Sequence, residues 1–126
     1  MAKRFQAADR IIVGVPMWNF AYPYKLKQPI DLVCQRGLLF SFEKGRFGPL
    51  LEIPRALVVY THGQTYLGGS PTPSQFNHQT GYVEFWLKFI GVQQIQTITT
   101  ENTWSDQAAQ RIANAQVEAH SLATSF

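Results

Sequence analysis

Two short runs, residues 11–15 (IIVGV) and 56–60 (ALVVY), carry no polar side chain until the closing tyrosine. A strand with one face in water alternates polar with apolar residues. A strand that does not alternate reads as one covered on both faces, the signature of a parallel sheet packed between helices. This restricts the chain to the α/β class. A third run, residues 94–100 (QIQTITT), does alternate and fits an edge strand.

Helical signals fall between and after these runs. In residues 23–37 (PYKLKQPIDLVCQRG) the apolar Leu26, Ile30 and Val33 recur at i, i+4 and i+7. Pro23 suits the first turn and Gly37 the end, while Pro29 removes a backbone donor and predicts a kink near Lys25. Residues 81–91 (GYVEFWLKFIG) are apolar nearly all round, apart from Glu84 and Lys88, whose i, i+4 spacing predicts an ion pair. Such a helix is expected to meet a partner subunit as well as its own sheet. The last helix is expected to open at Ser105 as N-cap, with Asp106 in its first turn. Ala108, Ile112, Ala115, Ala119 and Leu122 then form a face of mostly small residues for close packing on the sheet. Between the first helix and second strand, Leu38, Phe40 and Phe42 alternate, Lys44-Gly45 turns, and Phe47 returns, which predicts a small hairpin. Strand, helix, hairpin, strand, helix, strand, helix implies right-handed crossovers and a mainly parallel sheet in a single domain, residues 1–126.

Composition narrows the function. The chain is 45% hydrophobic and 15% charged, with a net charge of +3. Its eleven Lys and Arg are scattered, so no nucleic-acid partner is expected. Cys34 is the sole cysteine and reads as a small buried side chain; neither an internal disulfide nor a multi-cysteine metal site can form. His62, His78 and His120 show no metal-ligand spacing and read as surface residues, and Asp31 reads as a helix-fixing group. No run reaches the length of a membrane span, and residues 1–10 lack the apolar core of a signal peptide, so a cytoplasmic protein without membrane contact is expected.

In open α/β sheets ligands sit beyond the carboxyl ends of the strands. Two loops qualify: residues 16–23 (PMWNFAYP) and residues 61–66 (THGQTY). Aromatics, a methionine, amides and a glycine, with no carboxylate cluster, suit a flat aromatic ligand better than hydrolysis. The Gly/Pro/Ser-rich stretch at residues 66–81 is long enough to be functional in its own right.

The run Pro16, Met17, Trp18, Asn19, Phe20, followed by Leu26, Lys27, Ile30 and Asp31, resembles the flavodoxin-like family of FMN-dependent NADH:quinone oxidoreductases and azoreductases. That family carries P-M-W/Y-N-F ahead of a helix containing L-K-x-x-I/F-D. The resemblance extends from Phe5 to the end of the chain. It implies flavin contacts at Pro16, Met17, Trp18, Asn19 and Phe20, and a second flavin loop at Thr61, His62, Gly63 and Gln64. Here the sequence departs from the family's S-R-G-G or A-R-G-G, because His62 replaces an arginine and Gln64 a glycine.

Family members begin with a strand and a serine-rich loop that cradles the FMN phosphate, then a further strand and helix. The resemblance here starts after those elements. The expected architecture is therefore a truncated flavodoxin-like three-layer fold with three main strands, flanking helices and one hairpin. An apolar edge along residues 11–15 then predicts a homodimer, or a second chain that supplies the front half. The function implied by the resemblance is two-electron reduction of quinones or azo compounds, with FMN as cofactor and NADH or NADPH as donor. Trp18 and Phe20 would wall the pocket, and Phe40 or Phe42 of a second subunit would cover it. The competing reading is a non-catalytic truncated homologue that serves assembly without flavin.

Overall fold

The second apolar run forms the middle of a three-stranded parallel sheet. In the computed structural model, which describes residues 1–66 and 74–126, the chain begins with α1 (Ala2–Gln6), β1 (Arg10–Pro16) and α2 (Tyr24–Val33). The hairpin strands β2 (Phe40–Glu43) and β3 (Arg46–Pro49) follow, then β4 (Ile53–Thr61) and a 3-10 turn at Ser74–Phe76. The chain closes with α3 (Thr80–Ile90), β5 (Val92–Thr100) and α4 (Ala108–Ala123). The sheet order is β1-β4-β5. Ile11, Ala56 and Ile95 lie side by side, and four residues on so do Val15, Tyr60 and Thr99.

One face of this sheet carries the core. Ile11, Val15, Ala56, Val58 and Tyr60 pack under Ile30 and Val33 of α2 and under Val83, Trp86, Leu87 and Ile90 of α3. The α3 positions recur at i, i+3, i+4 and i+7, the stripe by which a helix meets a sheet. Phe5 of α1 closes the core edge-on against Trp86, with ring centroids 5.8 Å apart. The other face is thinner. Ile98 and Leu57 are buried there, and α4 packs against β5 without burying any of its own side chains.

Several sequence expectations need correction. β1 is covered on one face only: Ile11 and Val15 are buried, whereas Ile12 is 67% exposed. The reason is that α4 lies over β5 and leaves β1 bare on that side. The alternating β5 does lie at an edge, and β1 lies at the other. The small-residue face of α4 stays partly open, with Ile112 exposed. α4 also starts at Ala108, after the predicted cap. Ser105 caps a preceding turn instead, its hydroxyl accepting from the Gln107 N–H (3.2 Å) and donating to the Asn102 carbonyl (2.8 Å).

α2 runs through Pro29 and ends at Val33, four residues before Gly37. Gly37 opens the hairpin, donating its N–H to the Phe40 carbonyl (2.8 Å), because the chain must double back for Leu39 to reach the core. Cys34 is half-buried against that core, and Lys27 pairs with Asp31 across one turn of α2. Glu84 and Lys88 do not pair; the Lys88 ammonium donates to the Gln93 carbonyl. The hairpin turns at Lys44-Gly45 as expected, with φ of 51° and 78°, and sets Phe42 opposite Phe47.

Candidate functional site at the carboxyl end of the sheet

In register, Pro16, Thr61 and Thr100 bring the three strands to a common carboxyl end. The chain beyond β1 stays attached to β4 through the Met17 N–H, which donates to the Thr61 carbonyl (2.9 Å). It then reverses in a tight turn: Trp18 and Ala21 exchange backbone hydrogen bonds of 2.8 and 3.0 Å, and Asn19 and Phe20 hold φ of 48° and 68°. Two consecutive positive φ values define a type I′ turn. Asn suits it, but a phenylalanine there costs about 1 kcal/mol or more. The surroundings hold Phe20 in place. Its carbonyl accepts from the His78 N–H (2.9 Å), and its ring meets Phe76 edge-on at 5.6 Å.

The loop after β4 runs beside the loop after β5. Thr103 donates from both its backbone N–H (3.1 Å) and its hydroxyl (2.9 Å) to the His62 carbonyl, and the Trp104 N–H donates to the Gly63 carbonyl (3.3 Å). The Trp104 indole lies directly over Gly63, where a Cβ would collide with the ring as it is placed. Met17, Asn19 and Phe20 on one side and Gly63 and Gln64 on the other line a cleft of about 170 Å³. Tyr66 and Trp104 complete it.

Five of the seven lining residues are those expected from the sequence, Tyr66 is the last residue of the expected loop 61–66, and Trp104 is unexpected. The only signal for Trp104 was a lone tryptophan in a polar stretch just after the third strand. Trp18 does not line the cleft; its ring stands half-exposed outside the turn. Pro16 ends β1, and Thr61 faces the cavity between the sheet and α4. His62 is not a surface residue: at 2% exposure it lies behind the cleft wall. Its Nε2 is 2.6 Å from Gln79 Oε1, and its Nδ1 is 3.4 Å from Glu101 Oε1. His78 and His120 are exposed, as expected. Of the long stretch at residues 66–81, residues 67–73 lie outside the described part.

Two phenols near the core are held un-ionised. Burial pushes the Tyr60 hydroxyl well above its ordinary value, and the Glu84 carboxylate adds repulsion. Tyr82, stacked on Tyr22 at 4.7 Å, is also raised, chiefly by burial. Among the described residues no three His, Cys, Asp or Glu converge on a metal site, and no helix is long and apolar enough to cross a membrane.

A parallel sheet with a glycine- and aromatic-lined cleft at its carboxyl end is the arrangement in which open α/β proteins carry their ligand sites. A family described as having a flavodoxin-like fold matches residues 2–122, and the chain belongs to it. It is 54% identical over 127 residues to FMN-dependent NADH:quinone oxidoreductase 2 of Burkholderia lata, covering all of this chain and 61% of that protein. It is 37% identical over 125 residues to FMN-dependent NADH:quinone oxidoreductase 3 of Pseudomonas fluorescens, covering 94% of this chain and 58% of that protein. The crystal structure of an FMN-dependent NADH-azoreductase from Bacillus anthracis in complex with FMN superposes with a TM-score of 0.87 at 22% identity. That match covers 98% of this chain and 58% of the other. The chain spans about three-fifths of the length of these curated relatives.

Proposed function

We propose that the cleft receives the ring system of FMN and that the protein takes part in two-electron transfer from NADH or NADPH to a quinone or azo compound. The observation that carries this reading is the type I′ turn at Asn19-Phe20, held against its own backbone preference so that it faces Gly63 across the cleft. A planar ligand needs such a slot: backbone on both walls, no side chain at Gly63, and aromatic rings at its mouth. When bound, FMN supplies the redox chemistry, accepting a hydride equivalent and passing two electrons on.

The chain's own residues do the rest. Met17 and Phe20 present apolar surface to the ring. The Asn19 and Gln64 amides meet its polar edge, and Gly63 lets the main chain approach it. Pro16 and Thr61 end the two strands that hold these loops apart. His62 anchors the second loop from behind, and Trp18 extends the apolar rim outward.

The cleft volume lies below the roughly 300 Å³ at which complete ligand sites begin, so it fits part of the cofactor. A second copy of this chain, or a second chain, completes the site. The surface suited to a homodimer is a run of phenylalanines from the hairpin to α3. Phe42 meets Phe47 at 4.7 Å, Phe47 meets Phe89 at 5.7 Å and Phe89 meets Phe85 at 5.8 Å, while Phe47 and Phe85 remain 64% and 62% exposed. Phe40 and Phe42 of a partner would cover the cleft, in the cytoplasm where reduced pyridine nucleotide is available.

The test is the visible spectrum of the purified protein after loading with FMN and desalting. A retained flavin band that NADH bleaches supports the reading. A protein that stays colourless refutes it and leaves assembly through the phenylalanine surface as the function.

A further inference from the structure

The buried imidazole of His62 does more than fill space. Gln79, fully buried, donates from Nε2 to the Val15 carbonyl (2.7 Å), so its Oε1 must be the atom that faces His62. At 2.6 Å that oxygen can only accept, which assigns a proton to His62 Nε2. The other ring nitrogen then faces Glu101 Oε1 at 3.4 Å. A bare Nδ1 beside a carboxylate would set two lone pairs against each other, so the contact holds one further proton. Glu101 accepts from the Thr65 hydroxyl at Oε2 (2.6 Å) and from the Tyr66 N–H at Oε1 (3.3 Å), so both of its oxygens already act as acceptors. The proton therefore belongs on Nδ1.

We propose that His62 is a positioning residue: as an imidazolium between Gln79 and Glu101 it clamps the ends of β1, β4 and β5 to the segment entering α3, and so sets the width of the cleft. The links are explicit. Gln79 ties the ring to β1 through Val15, and the Gln79 and Thr80 N–H groups are capped by Asn77 Oδ1 (3.0 and 3.3 Å) at the start of α3. Glu101 ties it to Thr65 and to Tyr66, a cleft-lining residue. The titratable groups facing the ring are Glu101, Tyr66 (ring centroids 5.4 Å apart, edge-on) and Tyr60 (6.5 Å). With Nδ1 deprotonated, Glu101 loses its cation and the loop carrying Tyr66 is released.

The consequence for the cofactor rests on the flavin reading above; the clamp itself is testable without any ligand. Long-range proton–nitrogen correlation spectra of histidine-labelled protein, with His78→Gln and His120→Gln for assignment, follow the His62 ring through a pH titration. Amide exchange of Tyr66 is measured alongside. The expected result is protons on both nitrogens while the Tyr66 amide is protected. As the ring deprotonates it should retain Nε2–H, and Tyr66 exchange should rise by about tenfold or more, the worth of a charge-assisted hydrogen bond. His62→Arg should keep the protection and His62→Gln should lose it. A ring that titrates to the Nδ1–H form, or Tyr66 protection indifferent to the ring's charge, overturns the proposal, and wild-type protein alone decides both. FMN affinity, read by flavin fluorescence, should fall about tenfold over the same titration. If no FMN is taken up at any pH, the flavin reading fails by itself, since the exchange data judge the clamp separately.

Discussion

The indole of Trp104 lies so close over Gly63 that a Cβ at position 63 would stand 2.3 Å from the ring. Trp104 is 81% exposed, so the ring is free to swing away when a methyl group is placed beneath it. Gly63→Ala should therefore change the cleft without unfolding the protein. We expect a stability change within about 0.5 kcal/mol, as at other exposed positions, together with a clear change in tryptophan emission. Urea unfolding and fluorescence of the same samples check both. A large loss of stability would show that the ring cannot move.

Gly91 makes the opposite case. It ends α3 at a φ of 113°, and a Cβ there would come within 1.9 Å of the Leu51 carbonyl oxygen, which is main chain and cannot rotate aside. The segment is also stitched by the Leu51 N–H to the Ile90 carbonyl and the Ile53 N–H to the Gly91 carbonyl. Gly91→Ala combines strain at a positive φ with overpacking and should cost about 3 kcal/mol or more. The midpoint of urea denaturation reports it.

Among the described residues, the Tyr60 hydroxyl is buried with no hydrogen-bond partner. The Glu84 carboxylate lies close enough to raise its pKa but outside hydrogen-bond geometry, so Tyr60→Phe should change stability by no more than about 1 kcal/mol in either direction in thermal or urea unfolding.

The same residue fixes the alkaline behaviour. Its folded pKa lies above the ordinary value of 10.0, so the native state holds this proton more tightly than the unfolded chain. The corresponding stability is complete below pH 10.0 and declines as pH rises toward the folded value. Spectrophotometric titration of the five tyrosines should show one phenol that ionises only with unfolding. In Tyr60→Phe that late step should vanish.

If the phenylalanine surface is the homodimer interface, Phe47→Asp and Phe85→Asp should give folded monomers. Both side chains are mostly exposed within one chain, so the far-ultraviolet circular dichroism should be retained. Sedimentation velocity at micromolar concentration should then show the wild type as a dimer and each variant at half its mass. Variants that remain dimeric would place the interface elsewhere.

Local sequence pattern accounts for several elements of the fold. Unbroken β-branched runs specified β1 and β4, and period-3.6 apolar positions specified α2 and α3. Lys44-Gly45 specified the hairpin turn, and the family resemblance pointed to the loops after β1 and β4. These signals act through neighbouring residues, so they can be read without knowing the fold. The remaining features depend on long-range packing. The two apolar runs read alike, yet β4 is central and β1 is bare on one face, because coverage depends on where α4 lands. Trp104, distant in sequence, completes the cleft because the parallel register sets the end of β5 beside the loop after β4. His62 reads as a surface histidine in isolation. It became a buried, doubly partnered ring only because Gln79 and Glu101, 17 and 39 residues away, fold onto its two nitrogens, and no local pattern encodes contacts of that separation.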